Sequence, residues 1–136
     1  YRCQPKGDNM KLCTIAWTEF DRVELAKMVS RLFEHWRLTS RESLELLGLS
    51  PSNRSALIRY RHGRPLKANR DLVERVLHLL NIHASLRLLF PNKKLAYQWM
   101  TTPNRAFDGE TPVQLVKSRG FVALLMIRNY LNRTLE

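Results

Sequence analysis

Apolar residues recur at three- and four-residue steps along most of the chain. Phe20, Leu25, Met28, Val29, Leu32, Phe33 and Trp36 keep that spacing, which puts them on one helical face and predicts a core-facing helix from about Thr18 to Trp36. Thr18 suits the N-cap, and Glu19 and Asp21 lie in the first turn, at the positive end of the helix dipole. A second helix is expected from Thr39 or Ser40, carrying Leu44, Leu46 and Leu47 and ending at Gly48, the residue type that best takes a left-handed C-cap. Ser50-Pro51 then repeats an N-cap and first-turn proline, so a third helix is expected from about Pro51 to His62, stopped by Gly63 and Pro65.

Asn69 caps a fourth predicted helix bearing Leu72, Val73, Val76, Leu77, Leu80, Leu86 and Leu89, with a bend expected near Asn81 and an end at Pro91. Its apolar positions circle much of the helix, so it is expected to lie centrally and brace both halves of the molecule. Asn92 caps a short helix with Leu95, Ala96, Trp99 and Met100. A loop from Thr101 to Glu110 follows, and Thr111-Pro112 opens another short helix that ends near Gly120. The last helix is expected from Phe121 to about Asn132, offering Leu124, Leu125, Tyr130 and Leu131. No segment alternates with a strand's period of two, so the fold class is all-α.

Charge changes this picture. The 136-residue chain has 23 Lys and Arg against 12 Asp and Glu, a formal charge of +11, which favours a polyanionic partner. Between Pro51 and Arg70 stand Arg54, Arg59, Arg61, Arg64, Lys67 and Arg70, with no acidic residue among them. This is the stretch in which two short helices meet through a Gly-containing turn, the outline of a helix-turn-helix. On a helical wheel Leu57 and Tyr60 fall on the side suited to packing, while Ser52, Ser55, Arg59 and His62 point the other way. Arg59 can bridge O6 and N7 of a guanine, and serines reach bases or phosphates. Ser52, Ser55, Arg59 and His62 form the candidate reading front, and Asn53 and Arg54 are further candidate DNA-binding residues. Arg61, Arg64, Lys67 and Arg70 are candidates for phosphate contacts that fix register without reading sequence. The bland alternative is a solvated basic face on an ordinary bundle.

The segment from Ala96 to Pro112, with Leu115 and Gly120, is the least generic part of the chain. A Trp on a short helix (Trp99), a Pro-Asn loop (Pro103, Asn104), an apolar residue before a glycine (Phe107, Gly109), a Thr-Pro helix start (Pro112) and a glycine before the last helix (Gly120) occur in order. This arrangement resembles the toxin-binding domain of the Xre/MbcA/ParS antitoxin family over about residues 91 to 133. The preceding half resembles the family's helix-turn-helix domain. The resemblance implies a cognate toxin, usually of the RES type that degrades NAD, a homodimeric antitoxin that occludes the toxin's active site, and repression of its own operon through operator DNA. It also implies that Trp99, Pro103, Asn104, Phe107, Gly109, Pro112 and Gly120 shape the toxin-binding module, more by building its surface than by touching the toxin. With few residues after the last helix, blockage by the folded surface rather than by an inserted tail is expected. The expected organisation is an N-terminal arm over 1–16, a helix-turn-helix domain over 17–90 and a toxin-binding and dimerisation domain over 91–136. Met10 is a candidate natural start with a foreign leader before it, and Leu135-Glu136 a candidate foreign remnant.

Other classes find less support. No glycine-rich phosphate loop, HExxH or GxSxG motif appears, and Asp108 and Glu110 have the spacing of a turn rather than of an acid–base pair, so no enzyme is expected. Cys3 and Cys13 lie outside any CxxC pattern, and His78 and His83 are five apart rather than four, so neither a metal nor any other cofactor is expected. The longest apolar stretch, Phe121 to Ile127, is too short to span a bilayer, and Tyr1 to Asn9 lacks a signal peptide's apolar core, so the expectation is no membrane association and a cytosolic location. Two alternatives remain open: a stand-alone transcription regulator whose C-terminal module only dimerises, and an adaptor whose helix-turn-helix has lost DNA.

Overall fold

A computed structural model describes residues 17–136. The expectations for the arm, for Cys3 and Cys13 and for Met10 lie outside the described residues. Within them the chain is all-α, with no strand: α1 (Glu19–His35), α2 (Ser40–Leu47), α3 (Arg54–Arg61), α4 (Arg70–Leu89), α5 (Lys93–Gln98), two single 3-10 turns (Trp99–Thr101 and Arg105–Phe107), α6 (Pro112–Arg119) and α7 (Phe121–Leu135).

Side-chain caps set most helix starts. Thr18, Thr39 and Thr111 each accept from the backbone N–H three residues on, and Asp21, Glu42 and Gln114 return the bond to the cap's own N–H. Three such capping boxes each satisfy two otherwise unpaired donors, a device worth about 1 kcal/mol. Asn69 and Asn92 cap α4 and α5 through their side-chain carbonyls.

Three ends share one solution. At the end of α1 Leu38 N–H donates to the Phe33 carbonyl and Arg37 N–H to Glu34, with Arg37 left-handed at φ 54°. The same paired bonds close α2 (Leu49 to Leu44, Gly48 to Glu45) and α3 (Arg64 to Arg59, Gly63 to Tyr60). These are Schellman closures. Glycine takes the left-handed position in two of them, whereas Arg37 takes it without the glycine that would have marked it in sequence. Gly48 has a second constraint, because a Cβ there would lie 2.7 Å from the Arg75 guanidinium.

One hydrophobic core runs through both halves of the chain. α4 is its axis: it packs on α1 on one side and, most extensively, on α7 on the other. Leu79, Ile82 and Leu86 of α4 are fully buried, as are Leu124, Ile127 and Leu131 of α7. α6 packs against α2, so the C-terminal helices touch the helix-turn-helix directly.

Several expectations need correction. α3 begins at Arg54 rather than Pro51, because Asn53 N–H donates to the Ser50 carbonyl and the Ser50 and Ser52 hydroxyls bond each other, which makes residues 50–53 a turn. Phe20 and Met28 of α1 are exposed, at 65% and 51%. The inward position near the start of that helix goes to Asp21, buried as part of its capping box. α4 is one continuous helix through Asn81, whose side-chain amide donates to the Leu77 carbonyl. Leu95 and Leu125 face outward, and the last helix continues three residues past Asn132 to Leu135.

Candidate functional site

α2 and α3 form the helix-turn-helix. Ala56 and Tyr60 supply the buried back of α3, with Leu57 half-buried beside them. The opposite face carries Arg54, Ser55, Ile58, Arg59 and His62, all exposed. Arg59 donates to the Ser55 hydroxyl at 3.1 Å, and that hydroxyl donates to the Asn53 side-chain carbonyl at 3.3 Å. The three side chains therefore line one edge of the helix as a hydrogen-bonded file. Nδ1 of His62 donates to the Ile58 carbonyl at 2.7 Å, which turns its other ring nitrogen outward. Asn53 makes no side-chain cap bond to α3, its amide being used by Ser55 instead.

The flanking cations separate into two kinds. Arg61 lies 3.7 Å from Glu34 of α1, and Arg70 lies 2.9 Å from Glu74 one turn along α4. Both pairs are exposed and worth little net energy, so they orient more than they stabilise. Arg54, Arg64 and Lys67 have no ion pair among the described residues. Ser52 sits in the exposed turn before α3 rather than on it.

The loop after α3 is fixed from below. Leu66 is completely buried, its N–H donates to the Arg22 carbonyl at 3.2 Å, and its own carbonyl accepts from the Arg22 guanidinium at 2.7 Å. Arg64 and Lys67 are thus exposed on a loop tied to α1.

In the C-terminal half, Trp99, Phe107 and Tyr130 form an aromatic trio. The Trp99 and Phe107 rings meet edge-on at 6.2 Å, Phe107 and Tyr130 at 5.4 Å, and Trp99 stacks on Tyr130 at 6.3 Å. Phe107 is buried and Trp99 half-buried. Asn104 ties the loop above them: its carbonyl accepts from Phe107 and Gly109, its N–H donates to the Glu110 carbonyl and its side chain accepts from Ala106. Asp108 and Gly109 are both left-handed there. Pro112 is buried at the first turn of α6, and Gly120, at φ 68° and ψ −142°, makes the reversal between α6 and α7 in a region side chains avoid. Of the residues predicted here, only Pro103 stands clear of these bonds and packing. Tyr130 is expected from sequence only as a position offered by the last helix, since nothing near it in sequence marks it as the third ring.

Between the two regions lies a polar seam. The Arg75 guanidinium reaches the Leu46 carbonyl at 3.4 Å and stands 5.6 Å over the Phe121 ring. Burial lowers its pKa, opposed by Asp71. His78 meets the same ring edge-on at 5.2 Å and accepts from Arg128 through Nδ1 at 2.8 Å. Burial, then the Arg128 charge, holds His78 below its ordinary pKa against the pull of Glu74. His83 is lowered by burial, then by Arg87 and His35. No cluster able to hold a metal and no helix long and apolar enough to cross a membrane occurs among the described residues.

Comparison with known proteins finds two family matches in succession along the chain. Residues 25–81 match the antitoxin Xre-like helix-turn-helix domain, and residues 85–135 match the antitoxin Xre/MbcA/ParS C-terminal toxin-binding domain. The chain is also 35% identical over 103 residues to the uncharacterized protein y4oB of Sinorhizobium fredii (strain NBRC 101917 / NGR234), covering 75% of this chain and 77% of that one. With a DNA-binding helix-turn-helix domain leading into a toxin-binding domain, the chain belongs to the Xre/MbcA/ParS antitoxin family.

Proposed function

We propose that the protein is the antitoxin of a type II toxin–antitoxin pair: a cytoplasmic homodimer that neutralises a RES-like, NAD-degrading toxin and represses its own operon. It does so by binding and occlusion, without catalysis of its own. The observation that carries the DNA side is the acid-free basic front of α3, with its Arg59–Ser55–Asn53 file and the anchored loop holding Arg64 and Lys67. Residues 17–90 serve DNA, Ser52, Asn53, Arg54, Ser55, Arg59 and His62 facing the major groove while Arg61, Arg64, Lys67 and Arg70 meet phosphates. Residues 91–136 serve the toxin, on a surface shaped by Trp99, Phe107 and Asn104 and presented around Pro103. The RES-like assignment rests on the family resemblance.

The test is co-expression with the product of the adjacent reading frame, with purification through a tag on this chain. A stable complex is expected, together with growth arrest and falling cellular NAD when the neighbour is expressed alone. Toxicity without loss of NAD would overturn the RES-like assignment. Absence of both complex and toxicity would leave a stand-alone regulator.

A further inference from the structure

Charge does not account for one residue on the exposed front of α3. Ile58 is 55% exposed in the middle of a face otherwise made of Arg54, Ser55, Arg59 and His62. The back of the helix is already filled by Ala56 and Tyr60, so Ile58 adds nothing to the core. Helix propensity does not call for it either, since a β-branched side chain ranks below Ala, Leu, Arg or Lys at an exposed helical position. What approaches this face is set by its surroundings: six cations and no acid between Pro51 and Arg70 select a polyanion. In the major groove of DNA the one methyl group on a base edge is that of thymine C5.

We infer that Ile58 reads a thymine methyl in the major groove, beside the base that Arg59 contacts. This rests on the reading of α3 as the DNA-reading helix. The geometry suits it. Ser55 draws the Arg59 guanidinium back along the helix at 3.1 Å, and His62 is folded onto the Ile58 carbonyl at 2.7 Å. Both polar neighbours are thereby bonded to the helix itself, and Ile58, flanked on the helical wheel by Arg54 and His62, keeps its methyls exposed. An apolar group there gains from a methyl and gains nothing from the bare C5–H of uracil or cytosine. The front of α3 is thus a composite reader, guanine by hydrogen bonds and an adjoining thymine by apolar contact.

The experiment uses the full chain and a duplex that it selects from a random pool, with each thymine replaced in turn by deoxyuridine, which removes only the methyl. One thymine position per half-site is expected to weaken binding about four-fold, the size of one methyl-sized apolar contact. Ile58→Ala should bind the thymine and uracil duplexes alike, and Ile58→Val should keep a reduced preference for thymine. Because the side chain is outside the core, both variants should fold as the parent does. A flat deoxyuridine scan overturns the inference, and so does a thymine preference that persists in Ile58→Ala, in either case with DNA binding intact. Failure to select any duplex overturns the reading of α3 itself, and the inference with it.

Discussion

Arg59 and Lys67 belong to the same basic stretch, yet they should answer differently to loss of charge. Arg59 stands on the exposed edge of α3 and is oriented by Ser55, whereas Lys67 projects from the loop that Leu66 anchors. Arg59→Ala is expected to cost about 1–3 kcal/mol on the preferred site and to blur sequence preference. Lys67→Ala should weaken all duplexes alike and reduce the salt slope by about one. Fluorescence anisotropy on specific and scrambled duplexes over a salt series separates the two outcomes. Identical behaviour of the two variants would remove Arg59 from the reading role. A different residue-scale test concerns Gly48. Alanine there must hold φ near 69° and push the Arg75 guanidinium aside, so Gly48→Ala is expected to lose about 1–2 kcal/mol in urea unfolding.

At the scale of elements, what could be read from sequence was local chemistry. Thr18, Thr39, Asn69, Asn92 and Thr111 announced helix starts because a cap needs only a short polar side chain and the next few backbone donors. Thr111→Ala should accordingly cost about 1 kcal/mol, measured by thermal unfolding, with the aromatic trio unchanged. The same logic misled at Ser50-Pro51, whose residues look like a cap and first turn but whose hydroxyl bonds Ser52 and whose carbonyl receives Asn53. Periodicity overcounted the face of α1, since spacing does not say how wide the covering neighbours are, and Phe20 and Met28 fall beyond them. The candidate site followed the same rule. The basic front of α3 is contiguous in sequence and could be seen there, while Tyr130 joins Trp99 and Phe107 only through the fold. The buried anchor Leu66 was hidden for a similar reason, being a lone apolar residue in a basic loop. Leu66→Ala is expected to lose about 2–5 kcal/mol of stability.

Across the whole molecule, charge and burial make stability depend on pH. His78 and His83 have folded pKa values below the ordinary 6.5. In the window that opens at 6.5 and extends down to the folded values, the unfolded chain binds more protons, so stability falls as pH drops. Above 6.5 both histidines are neutral in either state and exact no penalty. The urea midpoint should be lower at about pH 5.5 than at about pH 7.5, and His78→Gln combined with His83→Gln should narrow that difference. An unchanged difference would place the acid sensitivity elsewhere, outside the Phe121 seam and the stack that His83 makes on Tyr97.

The two matched domains meet at residues 81 and 85, inside α4, which runs unbroken from Arg70 to Leu89. A recombination event at that junction would leave the new C-terminal half facing an old Leu79, Ile82 and Arg75. The helix-turn-helix and toxin-binding halves of this protein are therefore inherited as one parcel. Changing toxins by exchanging modules requires rewriting the first half of α4 as well, so divergence by paired substitutions across α4 and α7 is the easier route than shuffling.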